Sequence, residues 1–203
     1  MTTISIIGSG NMADAIGTRA AKHGHTVEII SRNPAKAEAL AQRIGGRASV
    51  GTFGSRPAGE IVIVAVLFAG AADAVAQFGE SLAGKTLVDI SNPFNDDASG
   101  VVTTPGDSVS ERIAKVAPES AHVVKAFNTI FGGVIARDEP LDVFFAGDDV
   151  AAKAEFAALL SSMGMRPLDA GGLGAAHALE WAGILLMGLA NNGAGFGSAL
   201  GVK

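Results

Sequence analysis

Short runs rich in Val and Ile alternate with helical stretches from Thr3 to about residue 170, and the connections between them are short. The runs Thr3 to Ile7, Thr26 to Ile30, Ile61 to Leu67, Thr86 to Ile90, His122 to Phe127 and Asp142 to Ala146 read as strands, with Met165 to Leu168 as a last edge strand. Helices are expected to about His23 after the first strand, then over Pro34 to Ile44, Ala71 to Phe78, Ala151 to Met163 and His177 to Ala190. In the fourth of these, Ala154, Ala157, Ala158 and Leu159 recur at helical spacing. Asn92 to Pro105 reads as loop. The unbroken apolar run from Ile61 to Leu67 suits a parallel strand covered on both faces. Alternation of this kind predicts an α/β fold, a doubly wound, mostly parallel sheet with helices on both sides.

In such sheets ligands lie beyond the carboxyl ends of the strands, where the strand order reverses. The first such end carries Gly8-x-Gly10-x-x-Ala13, between a strand and a helix. Gly8 permits the sharp turn, Gly10 lets the backbone approach a pyrophosphate, and Ala13 lets the helix pack closely on the strand. The helix start then turns its free N–H groups and positive dipole end toward the phosphates. This is the signature of a Rossmann-type dinucleotide site. At the end of the second strand an NAD site usually places an acid on the ribose hydroxyls. Here Ser31-Arg32-Asn33 stands instead, with Lys36 close behind. A carboxylate would repel a 2′-phosphate, whereas a guanidinium holds one with paired charged hydrogen bonds. The expected coenzyme is therefore NADP(H).

Composition narrows the remaining classes. Of 203 residues 48% are hydrophobic, enough to offset chain entropy and exclude dominant disorder. The net charge of −5 argues against a nucleic-acid or anionic-membrane surface. Cysteine is absent, which removes disulfides, thiolate metal sites and cysteine nucleophiles. Met1 to Gly10 lacks the basic start of a secretory signal, and the apolar run Trp181 to Ala190 is about half what a membrane span needs. A cytoplasmic protein is the expectation. Residues 1–172 are expected to form the coenzyme-binding domain, and residues 173–203 a short helical extension walling the cleft. Its helix is apolar nearly all round, so it must pack across the domain or against a second copy.

The catalytic side is sparse. Tyrosine is absent, which excludes the tyrosine–lysine pair of short-chain dehydrogenases. His23, His25, His122 and His177 show no metal-ligand spacing, so no metal site is expected. His23 and His25 read as surface residues and His122 as structural. His177 reads as a cap or packing residue, with general acid as the alternative. Lys125 is either a snorkelling strand residue or a group reaching the nicotinamide amide. Asn92 is either a ligand of ribose or carboxamide or a plain Asn-Pro turn. No catalytic residue is assigned. Hydride transfer between two coenzyme rings needs orientation and dryness more than acid–base chemistry, and a strong nucleotide site without an acid suits it.

Several stretches together resemble one family. They are Ile6-Ile7-Gly8-Ser9-Gly10-Asn11-Met12, Ser31-Arg32-Asn33-Pro34-Ala35-Lys36-Ala37-Glu38-Ala39, Val124-Lys125-Ala126-Phe127-Asn128-Thr129, Ala146-Gly147-Asp148-Asp149, Arg166-Pro167-Leu168-Asp169-Ala170-Gly171 and Asn191-Asn192-Gly193-x-Gly195. The chain resembles the NADPH-dependent coenzyme F420 reductases and the related oxidoreductase domains of the STEAP metalloreductases. The resemblance implies NADP over Gly8, Ser9, Gly10, Asn11 and Met12, with its 2′-phosphate near Ser31, Arg32 and Lys36. It puts the nicotinamide beside Val66, Leu67 and Ala126, a deazaflavin (F420) or flavin (FMN or FAD) facing it, and the final helix in a homodimer. Two places depart from the archaeal pattern. Asn128-Thr129-Ile130-Phe131-Gly132 replaces His-Thr-Ile-Pro-Ala, and Leu67-Phe68 replaces Pro-Trp. Both lie on the second-substrate side in the family, which leaves the acceptor open.

Three functions remain in view: reduction of F420 or a flavin by NADPH, reduction of a small carbonyl or imine using His177, Lys125 or Asn128, and a non-catalytic NADP(H) sensor. Beta-hydroxyacid dehydrogenases add a long helical domain that completes a small-acid pocket. This chain is too short for one and would borrow walls from a second subunit.

Overall fold

The computed structural model describes residues 1–202; Lys203, the last residue of the expected extension, lies outside the described residues. Eight strands alternate with helices: β1 (Thr3–Ile7), α1 (Asn11–Lys22), β2 (Thr26–Ile30), α2 (Pro34–Ile44), β3 (Ala48–Gly51), β4 (Ile61–Val64), α3 (Ala71–Phe78), β5 (Thr86–Asp89), α4 (Val109–Val116), β6 (His122–Ala126), α5 (Gly132–Ile135), β7 (Leu141–Gly147), α6 (Val150–Ser162), β8 (Met165–Asp169) and α7 (Ala176–Leu189). They form one sheet in the order β3-β2-β1-β4-β5-β6-β7-β8. Every pairing is parallel except β6 with β7. The fold is thus a Rossmann-type, doubly wound, mostly parallel α/β sheet with a short helical extension. The chain runs outward from β1 to β3, then returns to place β4 on the other side of β1. That reversal opens a crevice above the carboxyl ends of β1 and β4.

The sheet is covered on both faces. Ile6, Ile16, Ile29, Leu40, Phe127 and Phe156 pack on one side, and Ile7, Val62, Val64, Phe78, Leu87 and Ile113 on the other. Each such side chain contributes roughly 1.5–3 kcal/mol on burial. All four residues of β4 are buried, which is why that stretch carries no polar residue. Local signals start the helices. Asn33 accepts from Lys36 N–H and Pro34 occupies the first turn of α2, while Asp149 accepts from Ala152 N–H at α6.

Four expectations need correction, and that for the last helix is met on one face. The strand beginning at Ile61 ends at Val64, because the chain leaves the sheet there and carries Leu67 into solvent, 85% exposed. The buried stripe of α6 is Ala152, Phe156, Leu159 and Leu160; Ala154 and Ala158 face outward. His25 is a core residue, its Nδ1 accepting from Thr2 N–H and its Nε2 within 2.9 Å of Ser162 Oγ; burial holds its pKa below the usual value. Helix α7 packs across the domain by one face, through Ala176, Leu179, Glu180, Gly183 and Leu186, as expected, while Trp181, Leu185 and Leu189 on the other stay about half exposed. Finally, the helical run Leu173–Ala194, which opens with a 3-10 turn and kinks at Asn192 and Gly193, is 22 residues long and apolar enough to cross a membrane by length and composition, because turns on either side extend the apolar run. Within it Glu180 is fully buried, accepting from Thr103 Oγ and Val109 N–H, so the stretch is anchored to the domain by polar as well as apolar contacts.

Candidate functional site

The crevice is a groove of about 720 Å³. Its floor is the first turn. Gly8 has φ +137°, and a Cβ there would lie 2.2 Å from the backbone oxygen of Ala65, so only glycine allows β1 and β4 to approach this closely. Over Gly10 a Cβ would meet nothing within 4 Å, leaving open space where a ligand's phosphates could lie. Gly10 is also the N-cap of α1 and offers no side chain to its first turn, so those N–H groups remain available. Both features fit a pyrophosphate, as the sequence pattern requires.

At one end of the groove the second turn meets the first, with Ser9 Oγ and Ser31 Oγ 3.3 Å apart. Arg32 and Lys36 are exposed there and line the groove. Arg32 makes no ion pair among the described residues, so its guanidinium is free for an anion. Asn33 has a second task, since its side-chain oxygen caps α2. Along the other end lie Val66, Leu67, Phe68 and Ile90, then Ser91 and Asn92. Phe53, on the loop after β3, also lines the groove. Sequence reasoning missed it because β3, with its small residues, gave no strand signal.

Beyond Asn92 the groove continues into a hollow of about 230 Å³, which shares Met12, Ile90 and Asn92 with it. The hollow is walled by Phe94, Phe127, Ile130, Phe131, Leu186 and Met187, with Asn128 beside Asn92. None of its lining residues is charged. Phe127 holds φ +59°, a conformation costing about 1–3 kcal/mol for such a side chain, and is fixed edge-on against Phe156 at 5.8 Å. The strained residue turns the chain so that Asn128 and Asn92 bond reciprocally: Asn92 Nδ2 donates to Asn128 O (2.7 Å), and Asn128 Nδ2 donates to Asn92 Oδ1 (3.0 Å) and Leu179 O (2.7 Å). Asn128 Oδ1 and Thr129 Oγ are left without a partner. Gly183 of α7 admits this pair, since a Cβ there would fall 2.7 Å from Asn92 Oδ1.

The structure brings together Gly8, Ser9, Gly10, Asn11, Met12, Ser31, Arg32, Asn33, Lys36, Val66, Leu67 and Asn92 around the groove. Ala126 is the exception. It is fully buried in the core and lines neither cavity, and Phe127 and Asn128 take its place because the chain turns after β6. Lys125 neither snorkels nor reaches the groove: it is 0% exposed and paired with Asp89. His177 lines neither cavity. It packs between Thr103, Glu180 and Trp181. Among the described residues no cluster of His, Asp or Glu could hold a metal ion.

A Rossmann sheet with a glycine turn at its switch point and exposed cations after the second strand is the arrangement that a phosphorylated dinucleotide requires. Residues 3–93 match the model of the family described as NADP oxidoreductase, coenzyme F420-dependent. It is 28% identical over 200 residues to the F420-dependent NADP reductase of Methanocaldococcus jannaschii, covering 90% of this chain and 89% of that one. It is 32% identical over 180 residues to the metalloreductase STEAP3 of Rattus norvegicus, a match covering 87% of this chain. The chain spans only 35% of that metalloreductase's length. Among solved structures, a candidate F420-dependent NADP-reductase from Arthrobacter sp. FB24 superposes with a TM-score of 0.82 at 28% identity, over 95% of both chains.

Proposed function

We propose that the chain transfers hydride between NADP(H) in the groove and a deazaflavin (F420) or flavin (FMN or FAD) whose ring enters the hollow. NADPH, when bound, supplies the hydride; every other task falls to the protein. Gly8, Ser9, Gly10, Asn11 and Met12 receive the pyrophosphate through backbone N–H groups and the positive end of α1. Ser31, Arg32, Asn33 and Lys36 hold the 2′-phosphate. Val66 and Ile90 exclude water at the ring end, with the exposed Leu67 at its rim, and Asn92 orients the carboxamide. The observation that carries this reading is the continuity of a cation-ended groove with an uncharged hollow across Asn92.

The hollow contains no titratable side chain, which disfavours a carbonyl substrate that needs a protein proton donor. A ring acceptor draws no proton from the protein at the moment of transfer. In this reading residues 1–172 bind the coenzyme, and the later residues wall the hollow through Gly183, Leu186 and Met187. The exposed stripe of Trp181, Leu185 and Leu189 meets a second copy in a homodimer. The protein works in the cytoplasm, its long helix packed on the domain and not in a membrane.

The test is an acceptor screen at 340 nm with NADPH and NADH side by side, offering F420, FMN and FAD. Oxidation of NADPH in preference to NADH with one of these acceptors is expected. Tight NADPH binding with no turnover on any of them would favour a sensor.

A further inference from the structure

Asp89 and Lys125 are register partners at the ends of β5 and β6, and both are fully buried. Lys125 Nζ donates to Asp89 Oδ2 at 2.9 Å and to the backbone oxygen of Ser91 at 2.5 Å. Asp89 Oδ1 accepts from Ser91 N–H (2.9 Å) and Ser91 Oγ (2.7 Å), and its Oδ2 accepts from Ser110 Oγ (2.7 Å). Burial alone would raise the Asp89 carboxyl. The Lys125 ammonium and the Ser91 hydrogen bonds outweigh it and hold the group below the usual carboxylate range.

A buried ion pair is a poor device for stability, because two apolar side chains of the same volume usually serve as well or better. What this pair does instead is local. Three of its hydrogen bonds converge on the Ser91 peptide and hydroxyl, the residue that leads into Asn92. The chain that leaves Lys125 runs through the strained Phe127 to Asn128. One charged clamp therefore fixes both strand ends whose asparagines meet where the groove joins the hollow.

We infer that Asp89 and Lys125 are positioning residues for the nicotinamide end of the coenzyme, acting through Ser91 on the Asn92–Asn128 pair. The inference rests on the coenzyme reading above, and neither residue touches the ligand. The adenosine end, received by Ser31, Arg32 and Lys36, makes no hydrogen bond or ion pair with the clamp and is independent of it.

The test compares two probes by calorimetry: NADPH, which reaches both ends, and adenosine 2′,5′-bisphosphate, which reaches only one. In the unaltered protein NADPH binds tighter than the bisphosphate. In Asp89→Leu/Lys125→Met, which removes both charges together, the ratio of the two affinities should fall at least fivefold while bisphosphate affinity stays within twofold. A purely structural clamp would leave that ratio alone or weaken both probes equally, and either result in a folded variant overturns the inference. Should the double variant fail to fold, Ser91→Ala removes one donor to Asp89 and should lower the ratio about twofold; an unchanged ratio overturns the inference. If the unaltered protein binds the bisphosphate but gains nothing from the ring, the positioning role falls and the phosphate site stands. If it binds neither probe, the coenzyme reading itself falls and takes the inference with it.

Discussion

The two ends of the crevice are built on opposite principles. At the end beside Ser31, Arg32 and Lys36 the side chains are polar or cationic, and the backbone does the shaping: Gly8 for close approach, Gly10 for open space, Asn33 for the start of α2. At the hollow the lining is apolar and uncharged, the glycine Gly183 makes room for a side chain, and order comes from a strained Phe127 and interlocked amides. A site that recognises a phosphate needs free charge at the surface. A site that passes hydride needs fixed geometry and dryness. The contrast predicts that damage at one end should leave the other working.

The largest effect is expected where both ends share a foundation. Gly8→Val would force a Cβ into the Ala65 backbone, so a loss of about 3 kcal/mol or more in stability is expected, with NADPH binding lost as well. Thermal melts with and without NADPH check it, and a melt like that of the unaltered protein would deny the close approach. Next comes the hollow. Phe131→Ala enlarges it and should change KM for the acceptor about tenfold, roughly 1.4 kcal/mol, while NADPH affinity stays within about twofold. Equal loss for both ligands would erase the boundary drawn at Asn92.

The smallest effect lies outside both ends. Lys22 and His23 hold the Asp138 carboxyl down to about 2, against an ordinary 3.8. Its folded value lies below its unfolded one, so its stabilisation is complete above pH 4 and is lost as pH falls toward about 2. Solvent screening limits it to about 1 kcal/mol or less. Asp138→Asn keeps a residue that tolerates the φ of +60° found there. It should flatten acid unfolding over that window and change neither ligand's affinity at neutral pH.

How much of this was legible in the sequence follows from how local each cause is. The glycine turn, the Ser31-Arg32-Asn33 turn and most strands are written in neighbouring residues, and they stand where the pattern puts them. Helix α4 went unassigned, although Ser108 and Glu111 form a capping box that a local scan can find. Strand β3 is a short edge of small residues whose strand character comes only from pairing with β2. Lys125 was the least legible. Its partner Asp89 lies 36 residues earlier, and only the parallel register of β5 and β6 turns an odd cation in an apolar run into half of a clamp. The burial of His25 is hidden for the same reason, since Ser162, which its Nε2 contacts, stands 137 residues later.

Calorimetric titration of NADPH and NADH into the unaltered protein and into Arg32→Ala tests the central claim most directly. The unaltered protein should prefer NADPH, and Arg32→Ala should lose roughly 1.5–3 kcal/mol of NADPH binding, the worth of a charged hydrogen bond, with NADH affinity barely changed. Equal losses for the two coenzymes, or no preference for NADPH in the unaltered protein, would contradict the assignment of this turn to the 2′-phosphate.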